Sequence, residues 1–364
     1  MNLNFSAFHA ILNFMKKYSI FLLLIFAIVF LAGCSLAPAK QDSAAIPVAI
    51  KSSSILKSVD GGRNWEFKGR TSEKINLDMV DVISIAIDPI NTKNVLVGTL
   101  KEGILKTDDS GGTWSLLKFQ AEKVYGLAID QTDSRIIYAS GVWQGRGKIF
   151  KSLDGGVEWN EIYTSPSNGP LVISLTLDRK NSNILYATTS DNQIIKSVDA
   201  GISWKNIYAA NSPVLKIAID NGNDNLLYFN LLNGKILKSK DGGNVIDEIS
   251  ADDVRQGIGT IEVDPINANW IYAAGQAGIL RSKNAGDSWE IVRPLGDAST
   301  FPVKAIAINP SNPNEIAYGA AQATYKSLDG GVSWIPFQLQ TTKNVSILKY
   351  STESNVLYLG LRKK

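Results

Sequence analysis

A nine-residue pattern returns seven times along this 364-residue chain, and its spacing limits the fold more than any other feature. The copies are KSVDGGRNW (57–65), KTDDSGGTW (106–114), KSLDGGVEW (151–159), KSVDAGISW (196–204), KSKDGGNVI (238–246), RSKNAGDSW (281–289) and KSLDGGVSW (326–334). Their last positions lie 42 to 49 residues apart. A self-similar period of this size marks units that cannot bury an apolar face alone and must stack as a propeller or a solenoid.

A second motif fills each gap. VISIAIDPINTKNVLVGT starts at Val82, VYGLAIDQTDSRIIYAS at Val124 and VISLTLDRKNSNILYAT at Val172. VLKIAIDNGNDNLLYFN follows at Val214, IGTIEVDPINANWIYAA at Ile258 and VKAIAINPSNPNEIAYG at Val303. Each is a Val/Ile-rich run, an Asp/Asn/Pro turn and a second β-type run. A third run leads into the boxed turn, and a fourth carries the tryptophan. Four short strands per repeat predict a propeller blade. The ends are complementary: SSSILKSVDGGRNW supplies a third and fourth strand, and VSILKYSTESNVLYLG a first and second. The sequence thus predicts an all-β, seven-bladed propeller of four-stranded antiparallel blades. The N- and C-terminal strands share one blade and close the ring, which removes sheet edges.

Residues 1–33 read as a leader. Met15-Lys16-Lys17, a plausible true start, precedes an apolar run from Tyr18 to Phe30, and Leu31-Ala32-Gly33-Cys34 follows. This is a signal-peptide layout, and its end resembles a lipobox, which implies lipidation of Cys34. Residues 34–50 are small, polar and proline-bearing, as expected of a tether, and 51–364 form the propeller. The expected location is the cell envelope, on the extracytoplasmic side of a membrane. The only Cys is Cys34 and the only His is His9, so the mature chain lacks both types beyond its anchor. That removes His-based acid–base catalysis, Cys nucleophiles and zinc sites built on these residues. A net charge of +3 gives no footprint for nucleic acid. No cofactor and no metal is expected, and the chain reads as a monomer.

The pattern Ser-x-Asp-x-Gly-x-x-Trp resembles the Asp-box, or BNR repeat, over residues 51 to 364. Sialidases, xyloglucanase-type glycosidases, sortilin-like domains and photosystem II assembly factors carry such repeats. The boxed acids are Asp60, Asp109, Asp154, Asp199, Asp241 and Asp329, with Asn284 in the sixth copy. The tryptophans are Trp65, Trp114, Trp159, Trp204, Trp289 and Trp334, with Ile246 in the fifth copy. An Asp side chain can accept hydrogen bonds from its own turn, and glycine permits positive φ. The tryptophan is expected to fold back over the hairpin and fill space near the next blade. A calcium-binding ring is disfavoured, because each box offers one or two carboxylates and calcium wants six to eight oxygens. The basic residue opening each box is expected to lay its stem over apolar neighbours.

Function is expected where the symmetry breaks. The boxed turns and the Asp/Pro turns should share one face. The opposite face is built from the loops joining strands two and three and those joining successive blades. Trp143 and Arg146 stand out there in the loop GVWQGRGK. Arg70, Arg255, Arg293 and Arg362 lie in other loops of that face, so it holds five of the nine arginines. Such a face suits a carboxylate-bearing peptide or other anionic partner. The resemblance to photosystem II assembly factors implies a non-enzymatic, protein-binding scaffold.

The alternative is a carbohydrate-binding or glycoside-hydrolysing propeller. A sialidase would need an N-terminal Phe-Arg-Ile-Pro stretch, which is missing. Xyloglucanase-type enzymes place their cleft between two propellers and need two opposed carboxylates. Asp78, Asp81, Glu102, Asp191, Asp252, Asp253 and Asp297 are available acids, and no pattern selects a pair. No catalytic residue is assigned. Cys34→Ser should release the protein from the membrane fraction or leave it unprocessed. Normal membrane association and normal mass for the variant would overturn the lipid anchor.

Overall fold

The structure is a computed structural model and describes residues 53–67, 70–71, 75–166, 169–249, 257–353 and 355–363. Cys34, with the leader and tether, lies outside the described residues. Every regular element described is a β-strand. Blade 1 comprises Val82–Ile87, Val95–Thr99, Ile104–Thr107 and Thr113–Leu116, from the channel outwards. The same order repeats in blades 2 (122–164), 3 (172–209), 4 (214–248), 5 (258–292) and 6 (303–338). Blade 7 joins Asn344–Tyr350 and Leu357–Arg362 to Ile55–Ser58 and Glu66–Phe67. Ile55 pairs with Gly360 and Ser58 with Leu357, antiparallel, so the expected closure through both chain ends is present.

Blade 1 departs from the four-strand rule. Arg70–Thr71 adds a fifth strand, parallel to Thr113–Leu116. The segment that follows brings Leu77 and Val80 into the core beside Trp114. Trp114 is therefore 1% exposed, whereas the other boxed tryptophans stay partly open.

The second strand of most blades is buried at every position, as in Val95–Thr99, Leu185–Thr189 and Ile271–Gly275. A strand packed on both faces needs no polar alternation, which explains its continuous apolar run. Each innermost strand carries a register shift near its start, as between Val82 and Ser84 or Val214 and Lys216. Such a bulge bends a strand and breaks its ladder. The carbonyl at the bulge then serves the preceding blade. Ser84 Oγ donates to Val124 O at 2.7 Å, Thr188 Oγ1 to Val214 O at 2.8 Å and Ser346 Oγ to Val82 O at 2.8 Å.

The boxed turns are built alike in all seven blades. The Ser or Thr hydroxyl accepts a hydrogen bond from the box-glycine amide at 2.7–2.9 Å. The same hydroxyl donates to the Asp or Asn Oδ1 at 2.7–2.9 Å. That oxygen also accepts from the amide four residues on, at 2.8–3.0 Å. Asn284 makes these bonds as well as an aspartate, because only a neutral acceptor is needed. The box glycine is demanded twice. Its φ is +83° to +95°, and at Gly201 a Cβ would stand 2.4 Å from Ile162 of the preceding blade.

The tryptophans pack towards the preceding blade, not the next one as expected. Trp159 meets Phe119 edge-on at 4.8 Å, and Trp204 meets Tyr163 at 5.9 Å. Trp334 Nε1 donates to Arg293 O, and Trp65 Nε1 to Thr324 Oγ1. The boxed hairpin leans back, so the ring reaches the outer part of the preceding blade, across the closure in the case of Trp65.

The basic residues do more than cover apolar surface. Lys106, Lys151, Lys196, Lys238 and Arg281 each donate to a carbonyl in the boxed turn of the following blade. Lys326 does so across the closure, to Asp60 O at 3.1 Å. Lys151 and Lys196 also stand 5.2 Å above the rings of Tyr138 and Tyr186.

Hydrogen bonds from Ser203 and Ser197 hold the Asp199 carboxyl at about 2, and the Thr113 amide leads a similar set at Asp109. A folded pKa below the unfolded value of about 3.9 gives stability that is complete above that value. It is lost as pH falls through about 2. The melting temperature should therefore drop between about pH 4 and pH 2. Asp199→Asn should flatten part of that drop while leaving the melt at pH 7 nearly unchanged. An identical acid limb in the variant would contradict this role.

Candidate functional site

The boxed face is committed to its own structure. Each boxed turn donates an amide to the Asp/Asn turn of its blade, as Gly155 N does to Arg135 O at 2.9 Å. The exposed apolar side chains there are aliphatic, such as Leu153, Val157, Val198, Ile202, Leu328 and Val332 at the turn tips. The opposite face carries no such repeat, and its exposed side chains include aromatics.

Blade 2 raises the most distinctive feature of that face. Its middle strands, Ile137–Trp143 and Arg146–Ser152, are seven residues long, against five for Leu185–Thr189 and Gln193–Ser197. Gln144 and Gly145 turn the hairpin with φ of +53° and +74°. Two consecutive left-handed residues match the strand twist and favour a tight two-residue turn. GVWQGRGK is thus a β-hairpin standing above the blade rather than a loose loop. Trp143 and Arg146 face each other across it, with Trp143 38% exposed. Arg146 is half-buried and its Nε donates to Ser165 O at 2.8 Å. Arg146 therefore braces the hairpin, and Trp143 is the side chain presented.

The remaining arginines do not converge on this hairpin. Arg293 is exposed on the 293–302 connection between blades 5 and 6, with Leu295 and Phe301, which are 50% and 57% exposed. Arg362 is exposed at the end of blade 7 and lines the channel. Only the backbone of Arg70 is described, and Arg255, Asp252 and Asp253 lie outside the described residues. Of the acids, Asp297 accepts from Ser299 and Thr300 in its own turn, and Asp81 accepts from the Lys363 amide. Asp191 accepts from Thr189 Oγ1. Glu102 keeps one buried carboxylate oxygen without a hydrogen-bond partner. Among the described residues no group of three or more His, Cys, Asp or Glu could hold a metal ion.

The central channel holds charge that sequence reasoning missed. Two chambers, of about 590 and 390 Å³, share Glu262, Leu348 and Lys349. Lys216 stands 2.6 Å from Glu262, and Lys349 stands 4.0 Å from it. Arg179 lines the chamber on the side of the Asp/Pro turns. Burial alone would raise the Glu262 pKa, but Lys216, Lys349 and Arg179 outweigh it and hold the carboxyl below its usual range. Glu262 raises Lys349, yet burial, Lys216 and Arg179 leave its pKa below the ordinary lysine value. The signal was present in the repeats. Glu262 and Lys349 replace an Ala or Thr found at that position in the other inner strands, and Lys216 replaces a small or aliphatic residue.

Fold and faces together define a seven-bladed β-propeller with one regular, internally bonded face, one irregular face and a charged channel. No protein-family model matches the chain, and no curated protein sequence does. Solved structures do. The GH74 enzyme of Niastella koreensis aligns at 18% identity over 84% of this chain and 52% of its own, with a TM-score of 0.62. The GH74 xyloglucanase of Xanthomonas campestris aligns at 15% identity over 78% of this chain and 51% of its own, TM-score 0.65. YCF48 bound to a D1 peptide aligns at 15% identity over 77% of this chain and 92% of its own, TM-score 0.61. The chain thus spans about half the length of the GH74 enzymes it matches. At these identities the likeness is one of fold.

Trp143→Ala should cost less than about 1 kcal/mol, as surface changes do. Trp114→Ala should cost roughly 3–5 kcal/mol, because it empties a fully enclosed site. Urea midpoints compare the two. Equal losses would place Trp143 in the core and remove it from the binding face.

Proposed function

We propose that this chain is a non-catalytic propeller that binds a protein or peptide partner on its irregular face, as an assembly factor or scaffold does. Lipidated Cys34 would tether it to the extracytoplasmic side of a membrane in the cell envelope. The observation that carries the reading is the contrast between the faces. Exposed Trp143 and Phe301, with Arg293 and Arg362, all lie on the irregular side. Aromatic and arginine side chains dominate the energetics of protein interfaces. The structural neighbour YCF48 was solved with a D1 peptide and is matched over nearly its full length, which supports a peptide-sized partner.

The glycosidase reading keeps one observation of its own, the unpartnered Glu102 oxygen on the same face. A single acid with one buried oxygen is not a glycosidase site, since hydrolysis needs two carboxyls at a set separation.

The test is a paired one. Cross-linked partner recovered from solubilised envelope should be lost from Trp143→Ala combined with Arg293→Glu and Arg362→Glu, while the thermal melt moves little. Charge reversal across an interface costs far more than it does on a free surface. Unchanged recovery would overturn the assigned face. Turnover of chromogenic glycosides or xyloglucan that disappears in Glu102→Gln would replace the scaffold reading with an enzyme.

A further inference from the structure

The charged group at the channel waist has more positive charge than its own structure uses. Lys216, Lys349 and Arg179 surround one carboxylate, Glu262, where the two chambers meet. Glu262 is satisfied by Lys216 at 2.6 Å. Lys349 stands 4.0 Å from Glu262, beyond hydrogen-bond distance, and its side chain remains 48% exposed to the channel. Arg179 donates through one Nη to Asn221 Oδ1 at 2.6 Å, which leaves other donors of its fork. Asp88, the other acid of the chamber on the side of the Asp/Pro turns, is occupied by the amides of Ile90 and Asn91.

We propose that the channel waist, bounded by Lys216, Lys349 and Arg179, binds a small, multiply charged oxyanion of the phosphate or polycarboxylate class. Three convergent cations in a narrow space with low-dielectric walls concentrate anions far more than dispersed surface lysines do. The chambers are large enough for such a molecule and its water. The anion would take the open side of Lys349 and add a second negative partner to a cluster that now repels itself. Glu262 plays two parts. It keeps Lys216 and Lys349 together when the site is empty, and it opposes the incoming charge. The site lies inside the ring, apart from the Trp143 hairpin, and does not depend on that face binding a partner.

This double role of Glu262 gives a test that a merely structural ion pair would fail. The purified protein is titrated with pyrophosphate and, separately, with citrate, at constant ionic strength set by potassium chloride. Calorimetry reads binding, and the melting temperature is followed in parallel. At least one anion should bind and raise the melting temperature; pyrophosphate alone assigns phosphate chemistry and citrate alone assigns carboxylate chemistry. Lys349→Gln should weaken binding about tenfold or more, the loss of one charge contact. Glu262→Gln should tighten it, although the variant without anion melts no higher than the parent. Absence of binding by both anions, or equal affinity in Lys349→Gln, would overturn the site. Weaker binding in a folded Glu262→Gln would do the same, since it would make Glu262 a required organiser and not a competitor.

Discussion

The hydrogen bond from a box-glycine amide to a Ser or Thr hydroxyl is the interaction on which this architecture rests. It forces two consecutive residues into the left-handed region and so sets the angle between strands three and four. That angle places a tryptophan or its substitute against the outer strand of the preceding blade. It also turns backbone carbonyls towards the preceding repeat, where a lysine or arginine reaches them. One local turn thus makes two kinds of contact with the preceding blade, and sevenfold repetition turns local contacts into a ring. Its tolerance follows from its chemistry. Thr107 and Asn284 keep the oxygen acceptors and keep the turn, while none of the seven copies replaces the second glycine.

Much of this was legible in the sequence because it is periodic. Seven boxes, the runs between them and complementary half-repeats specify blade number, strand order and closure without reference to packing detail. What escaped is aperiodic or depends on three-dimensional contact. The strand Arg70–Thr71 has no repeat equivalent, and its pairing rests on a parallel register that pattern reading does not anticipate. The direction of tryptophan packing depends on how hairpins lean, which periodicity does not encode. Arg146 looked free because its loop is glycine-rich. The Gln144-Gly145 turn makes that loop a hairpin, and its guanidinium is taken by a backbone carbonyl.

The channel illustrates the same limit. Lys216, Glu262 and Lys349 come from three blades and are far apart in the chain, yet they meet because all inner strands converge on one axis. Aligning the repeats exposes each as an odd residue at a normally small or aliphatic position. Their mutual approach, and their surplus of positive charge, becomes visible only when the ring is closed. The regular outer parts of the molecule are thus read from sequence, and its chemistry is read from the deviations.

Closure also orders events in time. Ile55–Ser58 is among the earliest propeller strands to be synthesised, and its partner Leu357–Arg362 is among the last. Lys343 then donates to Ser54 and to the carbonyls of Asp78 and Val80, buried beneath the joint between blades 7 and 1. Such contacts between distant parts of a chain carry a high loop-closure cost and form late. The first strand can pair locally with Glu66–Phe67, but its inner edge waits unpaired while six blades assemble behind it. During that interval it is an open β-edge, and the nascent propeller is a partly folded arc that can recruit the wrong strand. The same joint that pairs the first strand on both sides in the finished molecule leaves the unfinished one exposed to mispairing until the last blade arrives.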